Sequence, residues 1–551
     1  MTDSVQQLAD DFHDYRMRTS PTWAHMLGDY RFADQYEDGS RAAENAEIAA
    51  LREFAARAEA IPDEGLGAAD RVTRDIVAFD ATTSADVGEA HSSEFGVDPV
   101  FGVQVALGVT IAGLSLPTAE VADAMVPKYR GIAQSIRDFA ERHREGVAAG
   151  RTPATFAVER AIEQVERWLA TPLAEDMLLT STTEPPAGYD VEAWRGRLSD
   201  VIVADVRPAL EVFRDVLRDE VAPVMRPDEQ CGLSWLPDGE QTYARLLARD
   251  TTTTLTAAEI HQIGLDQIAS LAEEYRTLAP EVVGTDDLPS IYRALREDPA
   301  LRHSSTPDIV AACETAFAKA RGVMPEWFDR LPVADCVVKS TDVGAAAYYY
   351  PPADDGSRGG TFYINTADPA HWGRYELEAL SYHEGIPGHH LQLAIAGELT
   401  DVPKYRKFTI FNAYAEGWGL YTERLADEMG LYTSPLERLG MLTMDSMRAC
   451  RLVVDTGLHA MGWSRQLAVD YMVANCPLSV GGVKAEIDRY AVHPGQACGY
   501  MIGRLEILRI RREAQERQGE LFDIKAFHNA VLDGGSVPLA VLDTVVRTRL
   551  P

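Results

Sequence analysis

The chain has 551 residues, with 85 acidic and 52 basic side chains and a formal net charge of −33; 46% of its residues are hydrophobic and 25% charged. Such proportions belong to soluble globular proteins and exclude a disordered or collagen-like chain. The acidity argues against nucleic acid as a partner, since phosphate contacts need a basic surface, and the length is ample for a deep cleft.

The opening segment, MTDSVQQLADDFHDYR, carries acids early and no apolar core, so it does not read as a secretory signal. Cys231, Cys313, Cys336, Cys450, Cys476 and Cys498 are dispersed without a C-x-x-C pair. That spacing predicts reduced, buried thiols and a cytoplasmic location. Pro99 to Ala119 carries no charge and is long enough to span a bilayer. Its glycines, with Gln104, Thr110 and Ser115, make it instead a buried core segment, and no membrane partner is expected.

Helical patterning dominates as far as about residue 330. Thr152-Pro153 predicts an N-cap with proline at the first helical position, followed by Val158, Ile162, Val165 and Leu169 on one face. Thr256 and Glu259 have capping-box spacing, with Ile260, Ile263, Ile268 and Leu271 behind them. Turn-rich breaks fall near 184–189, 222–240 and 279–289, and there is no internal repeat. The pattern changes at 333. Val333–Lys339, Ala347–Pro351 and Thr361–Asn365 read as strands, the last two flanking the turn-rich PADDGSRGG, which predicts a small hairpin or sheet edge. After Pro369 helix resumes. The organisation expected is an acidic helical region, 1–330, forming one wall of the cleft. A catalytic region, 331–551, joins it in one continuous large domain.

The chemistry concentrates in His383-Glu384-Gly385-Ile386-Pro387-Gly388-His389-His390. Glu376, Leu380 and His383 share a helical face on the approach. A His-Glu-x-x-His helix would bind zinc through two histidines four apart, with the Glu as general base. Here the fourth position is Pro387, so the motif fails as written. Proline stops the helix and glycine permits an unusual chain angle. The kink can therefore return His389 or His390 to His383, and the sequence leaves both open. The third ligand expected is Glu416, on a helix whose small residues at 413, 415, 417 and 419 allow close packing. A buried carboxylate there needs a partner, which zinc would be, and Glu423 is placed to accept a hydrogen bond from a ligand histidine. Lone histidines are mostly surface or satisfied core residues, but three in eight positions beside a Glu and a Pro-Gly kink point to metal.

HEGIPGHHLQ, AEGWGLYTE, YYYPPADDGSRGGTFYINT and HPGQACGYMIGRLEI resemble the signatures of the bacterial "domain of unknown function 885" family, over nearly the whole chain. In its catalytic half that family is similar to gluzincin-type zinc oligopeptidases and metallocarboxypeptidases. The resemblance implies a mainly α, multi-helix zincin-like fold with a deep channel. It also implies zinc on His383, Glu416 and one of His389 and His390, with Glu384 as the base that activates the attacking water. Tyr500 is the candidate donor to the developing oxyanion, with His493 second. Tyr350 and Tyr363, in the strands, are candidates to line an extended peptide. Arg448, Arg451, Asp455 and His459 recur on one helical face; Arg451 or Arg448 could hold a substrate carboxylate there.

These readings converge on a zinc metallopeptidase acting on short peptides, with a homodimer left open. The alternatives are a zinc enzyme of the same fold acting on a specialised metabolite, and a non-catalytic zinc-binding scaffold. The negative charge is uneven. Residues 401–551 hold 18 acids and 18 bases, whereas residues 1–400 hold 67 against 34. The net charge therefore does not argue against an anionic substrate group near the histidines.

Overall fold

The computed structural model describes residues 4–342, 345–352 and 358–551. The chain is mainly helical with a small three-stranded sheet. It divides into two compact units, Met1–Pro62 with Val77–Arg245 and Gly462–Arg465, and Asp63–Ile76 with Leu246–Met461 and Gln466–Pro551. The division does not fall at residue 330.

The first unit is built on helices such as Val5–Thr19, Arg41–Glu59, Ala119–Ala148 and Thr155–Ala170. The last begins later than Thr152-Pro153 predicts. Its N-cap is Ala154, because Pro153 and Thr155 spend their backbone groups on Arg226: Arg226 N–H donates to Pro153 O (2.9 Å) and Thr155 N–H to Arg226 O (2.8 Å). Val158 and Val165 are buried as expected, while Ile162 and Leu169 lie at the margin. The uncharged 99–119 stretch yields only a ten-residue helix, Val103–Ala112, with Gln104, Leu107 and Ile111 buried and Val109 54% exposed. Among the described residues no helix is long and apolar enough to cross a membrane.

The second unit includes α1 (Ala257–Val283). Thr256 and Glu259 form the predicted capping box, and the helix runs through Pro280 to Gly284, whose φ of +74° ends it in the left-handed region. Then come α2 (Thr306–Trp327), β1 (Cys336–Thr341), β2 (Ala347–Tyr350) and β3 (Gly360–Asn365). Most of the predicted turn between β2 and β3 lies outside the described residues. The strand order is β1-β3-β2, with β3 parallel to β1 and antiparallel to β2, so β2 and β3 pair as the predicted hairpin, with β2 at the sheet edge and β3 in the centre. Alternation places Cys336, Phe362, Ile364 and Tyr349 on the face that packs against Ile309, Cys313 and Phe317 of α2.

Among the later helices are α3 (Leu377–Glu384), α4 (His389–Gly397), α5 (Asn412–Glu428), α6 (Pro435–Ala460), α7 (Val480–Val492), α8 (Cys498–Gln518), α9 (Ile524–Leu532) and α10 (Leu539–Arg549). Helix α6 is buried on all sides from Leu439 to His459, which is why its sequence lacks a clean amphipathic stripe. Helix α5 lies tight along α8: a Cβ on Gly417 would come within 2.5 Å of Gly503, and one on Gly503 within 1.8 Å of the Ala413 carbonyl.

His528 of α9 packs against Phe328 (4.5 Å between ring centroids) and joins the Tyr421 hydroxyl to the Trp327 carbonyl. Burial pushes its pKa down to about 3, below the 6.5 of an unfolded histidine. The unfolded chain therefore takes up this proton first. The stabilisation is complete above pH 6.5 and declines as pH falls toward 3, by on the order of a few kcal/mol at the limit. Urea midpoints should fall between pH 7 and 4.5, and His528→Gln should flatten that dependence; an equal slope in both proteins would remove His528 as the cause.

Candidate metal centre

Helix α3 carries His383 and Glu384 at its last two positions and stops at Gly385. The chain then folds back through Ile386-Pro387, whose peptide bond is cis, and Gly388. Only glycine fits at 388, because a Cβ there would lie 1.9 Å from the His383 carbonyl and 2.4 Å from that of Tyr382. Helix α4 starts immediately afterwards, so its first residue, His389, faces the end of α3. The His383 and His389 rings meet edge to face at 4.7 Å.

Glu416 arrives from α5. Its Oε2 is 3.4 Å from His383 Nε2 and 3.3 Å from His389 Nε2. One ligand atom from each of the three residues lies within 4.8 Å of the other two. Glu423, two turns along α5 and fully buried, takes His383 Nδ1 at 2.8 Å. That bond fixes the ring so that Nε2 presents its lone pair to the centre. Gly419, between the two glutamates, leaves room for the ring: a Cβ would come within 2.7–2.9 Å of its atoms. His389 Nδ1 is buried without a hydrogen-bond partner among the described residues.

Burial raises the Glu416 pKa, but the adjoining His389 and His383 outweigh it and hold the carboxyl well below the ordinary range. Burial lowers His383, and its bonds to Glu416 and Glu423 reverse this, pushing it up to about 9. The centre is thus organised to keep positive charge between two carboxylates. Two imidazole nitrogens and one carboxylate oxygen within 4.8 Å of one another make a donor set of the kind that suits a zinc ion. Glu384 is 9% exposed; burial raises its pKa against the pull of His389 and His383.

The choice left open between His389 and His390 is decided by geometry. The His390 ring is turned away, with Nδ1 2.8 Å from the Tyr349 hydroxyl and Nε2 3.0 Å from the Ala334 carbonyl. Two successive helical residues point about 100° apart, and the kink delivers the first of them. Tyr350 and Tyr363 lie together on one face of the sheet. Tyr363 stacks on Tyr348 at 5.1 Å, and Tyr350 packs edge-on against both, on the sheet face opposite Tyr349. The residue the sequence reading missed is Tyr349. Its signal was the period of two, which sends the middle tyrosine of the triplet to the other face.

All four members of the polar stripe of α6 are buried. Arg448 lies 3.7 Å from Glu423. Arg451 is held by the Tyr490 hydroxyl (2.7 Å) and Glu486 (2.9 Å). Both guanidinium groups lie over the Tyr500 ring, Arg451 at 4.4 Å and Arg448 at 5.8 Å. The Tyr500 ring is nearly parallel to that of His383 at 6.3 Å. Its pKa is raised by burial and then by Glu416, while Arg451 opposes. The arginines thus support Tyr500 and Glu423 in this arrangement. His493 ends α7 near Asp250 and is outside the His383–His389–Glu416 group.

A helical unit with two histidines and a glutamate converging under a buttressing carboxylate defines the class, a helical protein with a candidate metal centre. The model of a bacterial protein family of unknown function, DUF885, matches residues 21–546, and the chain belongs to that family. A crystal structure described as "the putative lipoprotein from Colwellia psychrerythraea" is similar over 100% of both chains, with a TM-score of 0.91 and 24% identity. A structure described as that of "a putative lipoprotein of unknown function from Shewanella oneidensis" is similar over 99% of this chain and 100% of its own, with a TM-score of 0.77 and 19% identity. At these identities the likeness is one of fold. No curated protein matches the sequence.

Proposed function

We propose that the protein is a zinc-dependent hydrolase that cleaves amide bonds in short peptides, on a zincin-like fold of the gluzincin type. The observation that carries this reading is the convergence of His383, His389 and Glu416, with Glu423 behind His383 and Glu384 beside it. When bound, zinc supplies Lewis acidity toward water and toward a substrate carbonyl. Glu384 accepts the proton of the attacking water and delivers it to the leaving amine, a task suited to a carboxyl whose pKa burial has raised. Tyr500, beside Glu416, donates its phenolic proton as a hydrogen bond to the oxyanion. The six cysteines are buried thiols, as a cytoplasmic location would have them.

Elemental analysis of the purified protein should find about one zinc per chain, and incubation with a mixture of short peptides should give new amino termini that a chelator abolishes. Zinc at that level with no peptide cleavage would move the reading to a non-peptide substrate; no zinc affinity would end it. Tyr500→Phe should lower kcat about 10-fold or more with KM nearly unchanged, because its hydrogen bond strengthens only in the transition state. Unaltered kcat would remove Tyr500 from the oxyanion role.

A further inference from the structure

Apart from the metal centre, the same unit contains a cavity of about 520 Å³ between residues 68–75, the segment after α4, and helices α9 and α10. That volume is in the range of small-molecule sites. Val72, Leu399, Val541 and Leu542 give it an apolar wall. Four arginines also line it, Arg71, Arg330, Arg406 and Arg549.

Arg406 is the informative one. It is 4% exposed. Among the described residues no carboxylate lies within ion-pair distance of it; its bonds go to neutral oxygens, the Gly534 carbonyl and the Thr73 hydroxyl at 3.4 Å. Its Nε has no acceptor. Burial, and then the neighbouring Arg549, push its pKa down to about 10, so it remains a cation at neutral pH. A buried cation without a counter-ion is costly.

None of the acids that line the cavity pairs with Arg406, and two of them are held by its other arginines. Asp533 is 3.4 Å from Arg549 and 3.9 Å from Arg330. Glu398 is 3.8 Å from Arg330 and accepts the Val333 N–H at 2.7 Å. Asp75 pairs with Arg74 at 2.8 Å, and Asp401 is exposed. The nearest acid to Arg71 is Asp63, at 3.7 Å.

We propose that this cavity binds a small amphiphilic anion, with carboxylate or phosphate oxygens between Arg406 and Arg549 and an apolar body against Val72, Leu399, Val541 and Leu542. The anion supplies the missing counter-charge, and a planar guanidinium matches either oxygen group in two-point fashion. The site is separate from the metal centre. Helix α4 carries His389 at its first position and reaches the cavity only after Gly397, about 13 Å further along its axis.

Calorimetric titration of the full chain with octanoate, octyl phosphate, inorganic phosphate and octanol tests this. At least one of the two amphiphilic anions should bind with a sub-millimolar Kd. Octanol and inorganic phosphate should each bind at least about ten-fold more weakly, the loss of one charged contact or of the apolar contact. Tighter binding of octanoate identifies a carboxylate ligand and of octyl phosphate a phosphate ester. Arg406→Met should weaken the anion about ten-fold or more without lowering the thermal midpoint, since it removes an unpaired buried charge. Val541→Trp, which fills the cavity from its partly buried wall, should abolish binding even if Arg406→Met fails to fold. Metal-stripped protein should bind the anion equally well. No binding of either amphiphile, equal binding of octanol, or unchanged affinity in a folded Arg406→Met would each overturn the proposal.

Discussion

Glu384→Gln is expected to leave zinc content and helical signal unchanged while lowering kcat/KM for peptide hydrolysis by about a thousand-fold, close to 4 kcal/mol of transition-state stabilisation. Glutamine keeps the shape and can still hold a water by hydrogen bonding, but it cannot take the proton. The residue sits at the last position of α3 beside His383, and burial already raises its pKa. Its substitution therefore removes a proton acceptor without opening a cavity. The measurement is zinc by elemental analysis together with steady-state kinetics on a cleaved peptide. Turnover within a few-fold of the parent, at equal zinc content, would assign proton transfer to another group.

His389→Ala should weaken zinc binding by more than about 100-fold, beyond the range typical of a residue that only supports a ligand. His390→Ala should retain the metal. Its cost is to stability, about 1–3 kcal/mol for each buried group left unpaired, since the Tyr349 hydroxyl and Ala334 carbonyl lose the ring between them. Glu423→Gln falls between, with metal affinity down by about 10- to 100-fold, because it holds His383 in the binding orientation. Competition with a chromophoric chelator measures all three. Equal zinc affinity in His389→Ala and the parent would dismantle the centre as described, and loss of zinc from His390→Ala with stability intact would reverse the choice of ligand.

Local chemistry was legible wherever a residue's role depended on its immediate neighbours. Thr256 and Glu259 cap α1 as their spacing requires, since both partners lie within one turn. The three strands were visible as β-branched and aromatic runs, and Glu416 was singled out because a glutamate among small residues on a buried helix needs a partner. The Thr152 cap was displaced because distant Arg226 engages the backbone on both sides of Ala154. The central place of β3 depends on β1, which pairs with it in parallel on the side opposite β2.

The histidine cluster belongs to both sides of this division. The sequence by itself determined that the helix ends after Glu384, that glycine and proline bend the chain back, and that a histidine returns; covalent geometry and torsional freedom are properties of adjacent residues. Which histidine returns, where the tyrosines face, and what the α6 arginines hold were decided only in the tertiary structure. His390 is claimed by Tyr349 and the Ala334 carbonyl, and Arg451 by Glu486 and Tyr490. These partners come from β2, the segment before β1, and α7. A buried polar group takes whichever partner the packing brings within hydrogen-bonding distance, and for these residues that partner lies tens of positions away in the chain.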